Sequence, residues 1–84
     1  MAIKIDPNYA NAYINMGSVL EYNDKYEEAI ESYRIAIKID PKNANAYSGL
    51  GIALKKLYKY EEALDSFLSY LKAIEVGHRS RVYY

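Results

Sequence analysis

Apolar residues recur every three to four positions through most of the chain, and three short breaks divide this pattern. Such spacing places apolar side chains on one face of an α-helix. The first break contains Asn23 and Asp24, which favour turns, and the second contains Pro41, whereas the third, Tyr58-Lys59, has no such residue. The pattern therefore predicts an all-α protein with helices at residues 8–22, 26–39, 43–57 and 60–76. Because the connections are short, neighbouring helices should run antiparallel.

Each predicted helix carries one apolar stripe that should face its neighbours. In chain order the stripes are Tyr13, Met16, Gly17 and Leu20; Tyr26, Ala29, Ile30, Tyr33, Ala36 and Ile37; Tyr47, Leu50, Gly51 and Leu54; and Tyr60, Ala63, Leu64, Phe67, Leu68, Leu71 and Ile74. Most of the 11 tyrosines fall at helical spacing. We therefore interpret them first as packing residues with a polar tip.

Three short segments recur at one fixed distance. AIKIDP occurs at residues 2–7 and 36–41, NAY at 11–13 and 45–47, and KYEEA at 25–29 and 59–63, in each case 34 positions apart. A shared offset of this size is typical of repeat arrays. We expect one domain made of a repeat remnant (1–9), two full repeats (10–43 and 44–77) and an extension (78–84). The opening remnant favours a fragment of a longer protein or a designed repeat protein.

These residues resemble the tetratricopeptide repeat family, whose 34-residue unit is a helix–turn–helix. The eight signature positions of the first unit all fit the family pattern, and six fit in the second. They are Tyr13, Met16, Gly17, Leu20, Ala29, Tyr33, Ala36 and Pro41, then Tyr47, Leu50, Gly51, Leu54, Ala63 and Phe67. The resemblance covers residues 2–76. It implies a right-handed solenoid of antiparallel helix pairs, with an extended C-terminal helix added here.

The second unit departs from the family at Tyr70 and Glu75, where a small residue and a proline are expected. A tyrosine there suggests that no ordinary unit follows. The stripe continues to Val82, so the last helix either runs on through Gly77 or stops at this glycine. We expect its exposed apolar residues to self-associate, most simply as a two-fold homodimer. The predicted contact residues are Phe67, Leu68, Tyr70, Leu71 and Ile74.

The composition narrows the possible partners. The 84 residues carry no formal net charge, with 11 basic and 11 acidic side chains, which argues against nucleic acid or a membrane surface as the partner. There is no cysteine, so no disulfide is expected. The start lacks the anatomy of a signal peptide, and a cytoplasmic location follows by default.

Little in the sequence suggests catalysis. His78 is the lone histidine, and a metal site needs several converging ligands. The adjacent acid pairs at 27–28 and 61–62 point in different directions on a helix and are interpreted as solvated charge in the first turn. We therefore predict no enzyme activity, no metal and no cofactor.

The resemblance implies a peptide or protein partner on the concave side, which the first helix of each unit lines. The matching positions are Asn11, Ile14, Asn15, Ser18, Tyr22, Asn45, Ser48, Ile52 and Lys55. Where one subfamily clamps acidic chaperone C-termini with basic residues, this chain has Ile14, Ser18 and Gly49, which argues against that ligand. Two functions stay open: an interaction scaffold that binds a partner, or a structural repeat module whose main partner is itself.

Overall fold

The computed structural model of the chain describes residues 8–79, and the side chains of residues 9–75. This part of the chain forms four helices and no strand: α1 (Asn8–Tyr22), α2 (Tyr26–Ile39), α3 (Ala44–Lys56) and α4 (Tyr60–Arg79). The predicted bounds of α1 and α2 are confirmed. Helix α3 is one residue shorter at each end, because Asn43 caps its start and Leu57 its end. The Asn43 side chain accepts a hydrogen bond from the backbone N–H of Asn45 at 3.0 Å.

The same turn closes both helical hairpins. Asp24 and Tyr58, which are 34 positions apart, both adopt the left-handed backbone conformation, with φ of 61° and 62°. The N–H groups of Lys25 and Lys59 then reach back to the carbonyls of Leu20 and Leu54, at 2.8 and 2.9 Å. These bonds satisfy carbonyl groups that the helix end would leave without partners. Aspartate tolerates this conformation, whereas a bulky tyrosine is strained by it.

Helix α4 continues through Gly77 to Arg79, so the prediction of a stop at this glycine is wrong and the prediction of a longer helix is confirmed to that point. One glycine costs about 1 kcal/mol inside a helix, which neighbouring turns outweigh. Residues 80–84, including Val82, and the side chain of His78 lie outside the described part. The repeat boundaries, and the remnant at 1–9 in particular, stay predictions.

The four helices stack in chain order. Helix α1 packs on α2, α2 on α3 and α3 on α4, and α1 also approaches α3. The first helices of the two hairpins, α1 and α3, therefore lie side by side. An ion pair between Arg34 and Glu62, at 3.5 Å, joins the second helices, α2 and α4. Both side chains are more than half exposed, so this pair stabilises the stack only weakly.

The core runs across the junction between the two hairpins. One cluster contains Ala29, Ile30, Tyr33, Leu50, Ala53, Leu54 and Ala63, and a smaller one contains Ala10, Ala36 and Ala46. The three alanines of the smaller cluster come from α1, α2 and α3 and are fully buried. Small side chains at this point let three helices approach closely.

Tyr33 occupies the centre of the junction and is only 2% exposed. Its ring lies against the backbone of α1 at Gly17 and that of α3 at Gly49. A Cβ atom built on Gly17 would lie 2.7 Å from Cε1 of the ring, and one on Gly49 would lie 2.5 Å from Cζ. Any larger residue would collide with the ring at either position. In the second unit Phe67 repeats this contact, because a Cβ on Gly51 would lie 2.7 Å from its Cε1.

Some stripe residues predicted to be inside are exposed. Met16 is 52% exposed, although its repeat partner Leu50 is buried, because α2 covers α3 while no described helix covers that side of α1. Tyr60 and Leu64 are likewise exposed, at 58% and 59%, since among the described helices only α3 packs closely on α4, which α2 reaches only through the Arg34–Glu62 ion pair. The side of α4 turned away from α3 therefore has no covering layer within the described residues.

We predict that Gly49→Ala destabilises the fold by about 1–3 kcal/mol, because the added methyl group collides with the Tyr33 ring. In a Tyr33→Leu background the colliding ring atoms are absent, and the same substitution should instead stabilise α3 by up to about 1 kcal/mol through helix propensity. Urea denaturation of the four proteins measures both free energies. The same sign in both backgrounds would contradict this packing.

Candidate functional site

A surface groove of about 560 Å³ lies between α1 and α3. We call it the inner groove. Its lining contains six of the nine residues predicted to bind a peptide: Ile14, Ser18, Tyr22, Asn45, Ser48 and Ile52. Glu21, Tyr26, Tyr33, Gly49 and Lys56 complete the lining. The groove forms because α1 and α3 start matching hairpins and so present the same face to the same side.

The other three predicted residues do not line the inner groove. The side chain of Asn11 accepts a hydrogen bond from Asn43 Nδ2 at 3.4 Å, near the start of α3. Asn15 is exposed outside the groove, and Lys55 lines a separate depression beside Phe67. The cation in the groove is therefore Lys56, where the sequence predicted Lys55. Helix spacing selects the correct side of each helix, but the rotation of α3 against α2 decides which lysine enters the groove.

Five lining residues lie outside the predicted set, and two of them, Glu21 and Tyr33, give the groove its polar floor. Glu21 follows Ile14 by seven positions and Ser18 by three, so the helical spacing that selected those residues also includes it. Tyr33 was assigned to the core, which is correct for its ring, but its hydroxyl reaches the groove. No spacing rule would reveal such a double role, because it depends on the length of the side chain and the closeness of the helices.

The hydroxyl of Tyr33 forms the floor of the groove. It donates a hydrogen bond to Oε1 of Glu21 at 2.9 Å and lies 3.3 Å from Oγ of Ser18. Burial raises the pKa of Tyr33 to about 12, with Glu21 adding to the rise and Ser18 opposing it. The floor thus presents a neutral hydroxyl, next to a carboxylate that it orients.

A second tyrosine borders the same end of the groove. The hydroxyl of Tyr26 donates to Oδ1 of Asp24 at 2.8 Å, and this hydrogen bond raises the pKa of Tyr26. Tyr22, which is 90% exposed, lies on the groove lining nearby. The α1 side of the groove therefore carries one carboxylate, that of Glu21, beside aromatic rings, and the α3 side carries Lys56. Asp24 binds Tyr26 but does not line the groove itself.

The second unit has a counterpart of this arrangement in which the polar floor is absent. A depression is lined by Ile52, Lys55, Lys56, Tyr58, Tyr60 and Phe67. These residues follow Ser18, Glu21, Tyr22, Asp24, Tyr26 and Tyr33 by 34 positions. Phe67 occupies the position of Tyr33 in the second unit. Ile52 and Lys55 occupy the positions of its hydrogen-bond partners Ser18 and Glu21. A buried hydroxyl requires partners and a phenyl ring does not, so the three positions change together.

The described residues contain no cluster of acidic or histidine side chains that could hold a metal ion. Within the same residues, no helix combines the length and apolarity needed to cross a membrane.

Two family models match the chain, one described as TPR repeat over residues 22–57 and one as tetratricopeptide repeat over residues 1–31. Together they span both hairpins as far as the end of α3. The chain belongs to the tetratricopeptide repeat family. The predicted all-α solenoid of paired helices is thereby confirmed. Tetratricopeptide repeats are protein–protein interaction modules, and the family is a non-enzymatic scaffold. This supports the general prediction of an interaction module.

Solved structures agree with this fold. Among 24 matching chains is the structure MamA MSR-1 C2, with a TM-score of 0.79 and 24% sequence identity. The match covers 86% of this tetratricopeptide repeat protein and 41% of that chain, so the present chain spans less than half the length of the solved chain. At this identity the likeness concerns the fold alone. No curated protein sequence matches the chain.

The raised pKa of Tyr33 predicts a loss of stability in alkali. The unfolded chain loses this proton near pH 10, whereas the folded chain keeps it up to about pH 12. The free energy of unfolding should therefore fall as the pH rises through that window. Tyr33→Phe should remove this part of the pH dependence and cost about 0.5–1.5 kcal/mol at neutral pH through the lost hydrogen bonds.

Urea denaturation at a series of pH values measures the difference between wild type and Tyr33→Phe. Tyr22→Phe, which removes an exposed hydroxyl, is the matched control and should keep the wild-type slope. A constant difference between wild type and Tyr33→Phe at all pH values would contradict the assignment to this buried phenol.

Proposed function

We propose that the inner groove binds an extended segment of a partner protein. The observation that carries this proposal is the groove itself, where two parallel first helices place apolar, amide and hydroxyl groups around one cavity of about 560 Å³. A volume of this size accommodates a few residues of peptide, and a mixed lining of this kind is typical of ligand sites. The proposed function extends the general role of the family to a named surface.

The lining can bind both the backbone and the side chains of an extended peptide. The amide of Asn45 both donates and accepts hydrogen bonds, so it matches the backbone of an extended chain. Ser48, one turn further along α3, adds a hydroxyl on the same side. Ile14 and Ile52 supply apolar surface from the two walls, and Ile52 is 41% exposed. An apolar side chain of the peptide would remove both from water.

The charges of the groove favour a particular peptide. Glu21 and the tyrosine rings near it attract a lysine or arginine through ionic and cation–π contacts. Lys56 on the other wall favours an acidic residue. The clamp positions Ile14, Ser18 and Gly49 all line the groove and none is basic, which supports the prediction against acidic chaperone C-termini. We therefore propose an extended peptide that carries an apolar residue between a basic and an acidic one.

Selection from a displayed library of random linear peptides, followed by calorimetric titration of the selected peptide, tests this function. Asn45→Ala should weaken binding by about 5- to 30-fold, since a lost hydrogen bond inside a site costs about 1–2 kcal/mol. Asn15→Ala removes the same amide from an exposed position outside the groove and should leave the affinity unchanged.

Glu21→Gln provides a second measurement. It should lower the affinity for peptides that carry a basic residue and leave the affinity for their neutral analogues unchanged. If no peptide is enriched, or if Asn15→Ala weakens binding as much as Asn45→Ala, the inner groove is not the binding surface.

A further inference from the structure

Helix α4 presents a stripe of leucines to solvent. Leu64, Leu68 and Leu71 are 59%, 55% and 59% exposed, and their spacing of four and three keeps them on one face of the helix. Ile74 extends the stripe and is also exposed. Phe67 packs inward over Gly51 and is half-buried, as its place in the helix stripe predicted, and its part in self-association stays a prediction. A contiguous apolar face of this kind marks an interaction surface.

A second chain cannot pack on this face of α4 in the way that the second hairpin packs on the first. The junction between the two hairpins requires Ala36, which is fully buried, and Gly49, which makes room for the Tyr33 ring. On α4 the position of Ala36 is taken by Tyr70, 34 residues later. On the α1 of a second copy, the position of Gly49 is taken by Asn15. Both changes add bulk at points of closest approach, and overpacking of this kind opposes head-to-tail stacking.

We propose that a second copy of this chain covers the leucine face, with the two α4 helices antiparallel about a two-fold axis between Leu68 and Ser69. In that arrangement Leu68 and Leu71 of both copies meet around the axis. The small side chain of Ser69 leaves space there, and a shallow depression is lined by Asp65, Leu68, Ser69, Leu71, Lys72 and Glu75. A two-fold contact also closes on itself, so each leucine face is used once.

The charges that border the stripe fit this orientation. Asp65 and Lys72 are two helical turns apart and both line the depression. The proposed axis places Asp65 of each copy opposite the partner's Lys72, which gives two ion pairs of opposite charge. A parallel pairing would instead place Asp65 against the partner's Asp65. Antiparallel helices also bring opposite dipole ends together.

The ends of the contact oppose association. By the same axis Glu62 of each copy lies opposite the partner's Glu75, about 10 Å from the axis at a rise of 1.5 Å per residue. At that distance from the centre these carboxylates are open to solvent and screened by salt. The leucine contact and the two central ion pairs therefore dominate, and we expect a reversible dimer. This inference does not depend on the peptide groove, since α4 contributes no residue to it.

Charge reversal with mixing tests the proposal by sedimentation equilibrium over a series of chain concentrations. Asp65→Lys and Lys72→Asp should each weaken self-association by about tenfold, because each replaces two attractive pairs with two repulsive ones. An equimolar mixture of the two variants should form a heterodimer at least as stable as the wild-type dimer, since both pairs are attractive again. Leu68→Glu should be monomeric with unchanged helicity, because Leu68 is exposed in the single chain.

Met16→Glu provides the control on the outer face of α1 and should dimerise like wild type. A monomeric wild type across the series would overturn the proposal, as would variants of opposite charge that show no preference for each other. If Met16→Glu and Leu68→Glu are each monomeric but form a dimer when mixed, stacking is head-to-tail and the two-fold assignment is wrong.

Discussion

The fold depends on one aromatic ring that lies between two helix backbones. Tyr33 belongs to the second helix of its hairpin, yet it touches the first helix of that hairpin at Gly17 and the first helix of the next at Gly49. A glycine at each contact removes the side chain that would hold the helices apart. The ring thus closes one hairpin and joins it to its neighbour with the same buried surface. Close packing of this kind has little tolerance for added volume.

The same contact links the fold to the inner groove. The ring brings α1 and α3 near enough to form two walls, and the hydroxyl at its tip reaches Ser18 and Glu21 on the α1 side of the floor. The second unit shows what happens when one element changes. With Phe67 in place of the tyrosine, the neighbouring positions become Ile52 and Lys55, and the polar floor disappears. One side chain, Tyr33, therefore serves both the core packing and the polar lining. A substitution of Tyr33 would change both together.

Most of the architecture follows from spacing alone. The helix bounds agree with prediction to within one residue for α1, α2 and α3, and the breaks after α1 and α2 contain residues with a direct physical effect on the backbone. Asp24 illustrates this, since a residue that tolerates positive φ sits where the turn needs it. Gly77 illustrates the limit: a glycine is compatible with both a helix stop and a helix interior. Tertiary packing and helix length then outweigh an intrinsic preference of about 1 kcal/mol.

The groove was predictable only in part, for a geometric reason. Periodicity assigns residues to a face of a helix, but a face spans more than 100°, and the crossing of two helices selects a narrower strip of it. Lys55 and Lys56 are separated by about 100° on α3, and the packing of α3 against α2 places the second in the groove. Departures from the 34-residue period are more informative than the period itself. Tyr70 in place of Ala36 and Asn15 in place of Gly49 are two such departures, and the bulk that they add is the reason for proposing a two-fold contact and not head-to-tail stacking. The inner junction therefore depends on small residues next to the Tyr33 ring, and the larger residues at the equivalent outer positions favour a different contact there.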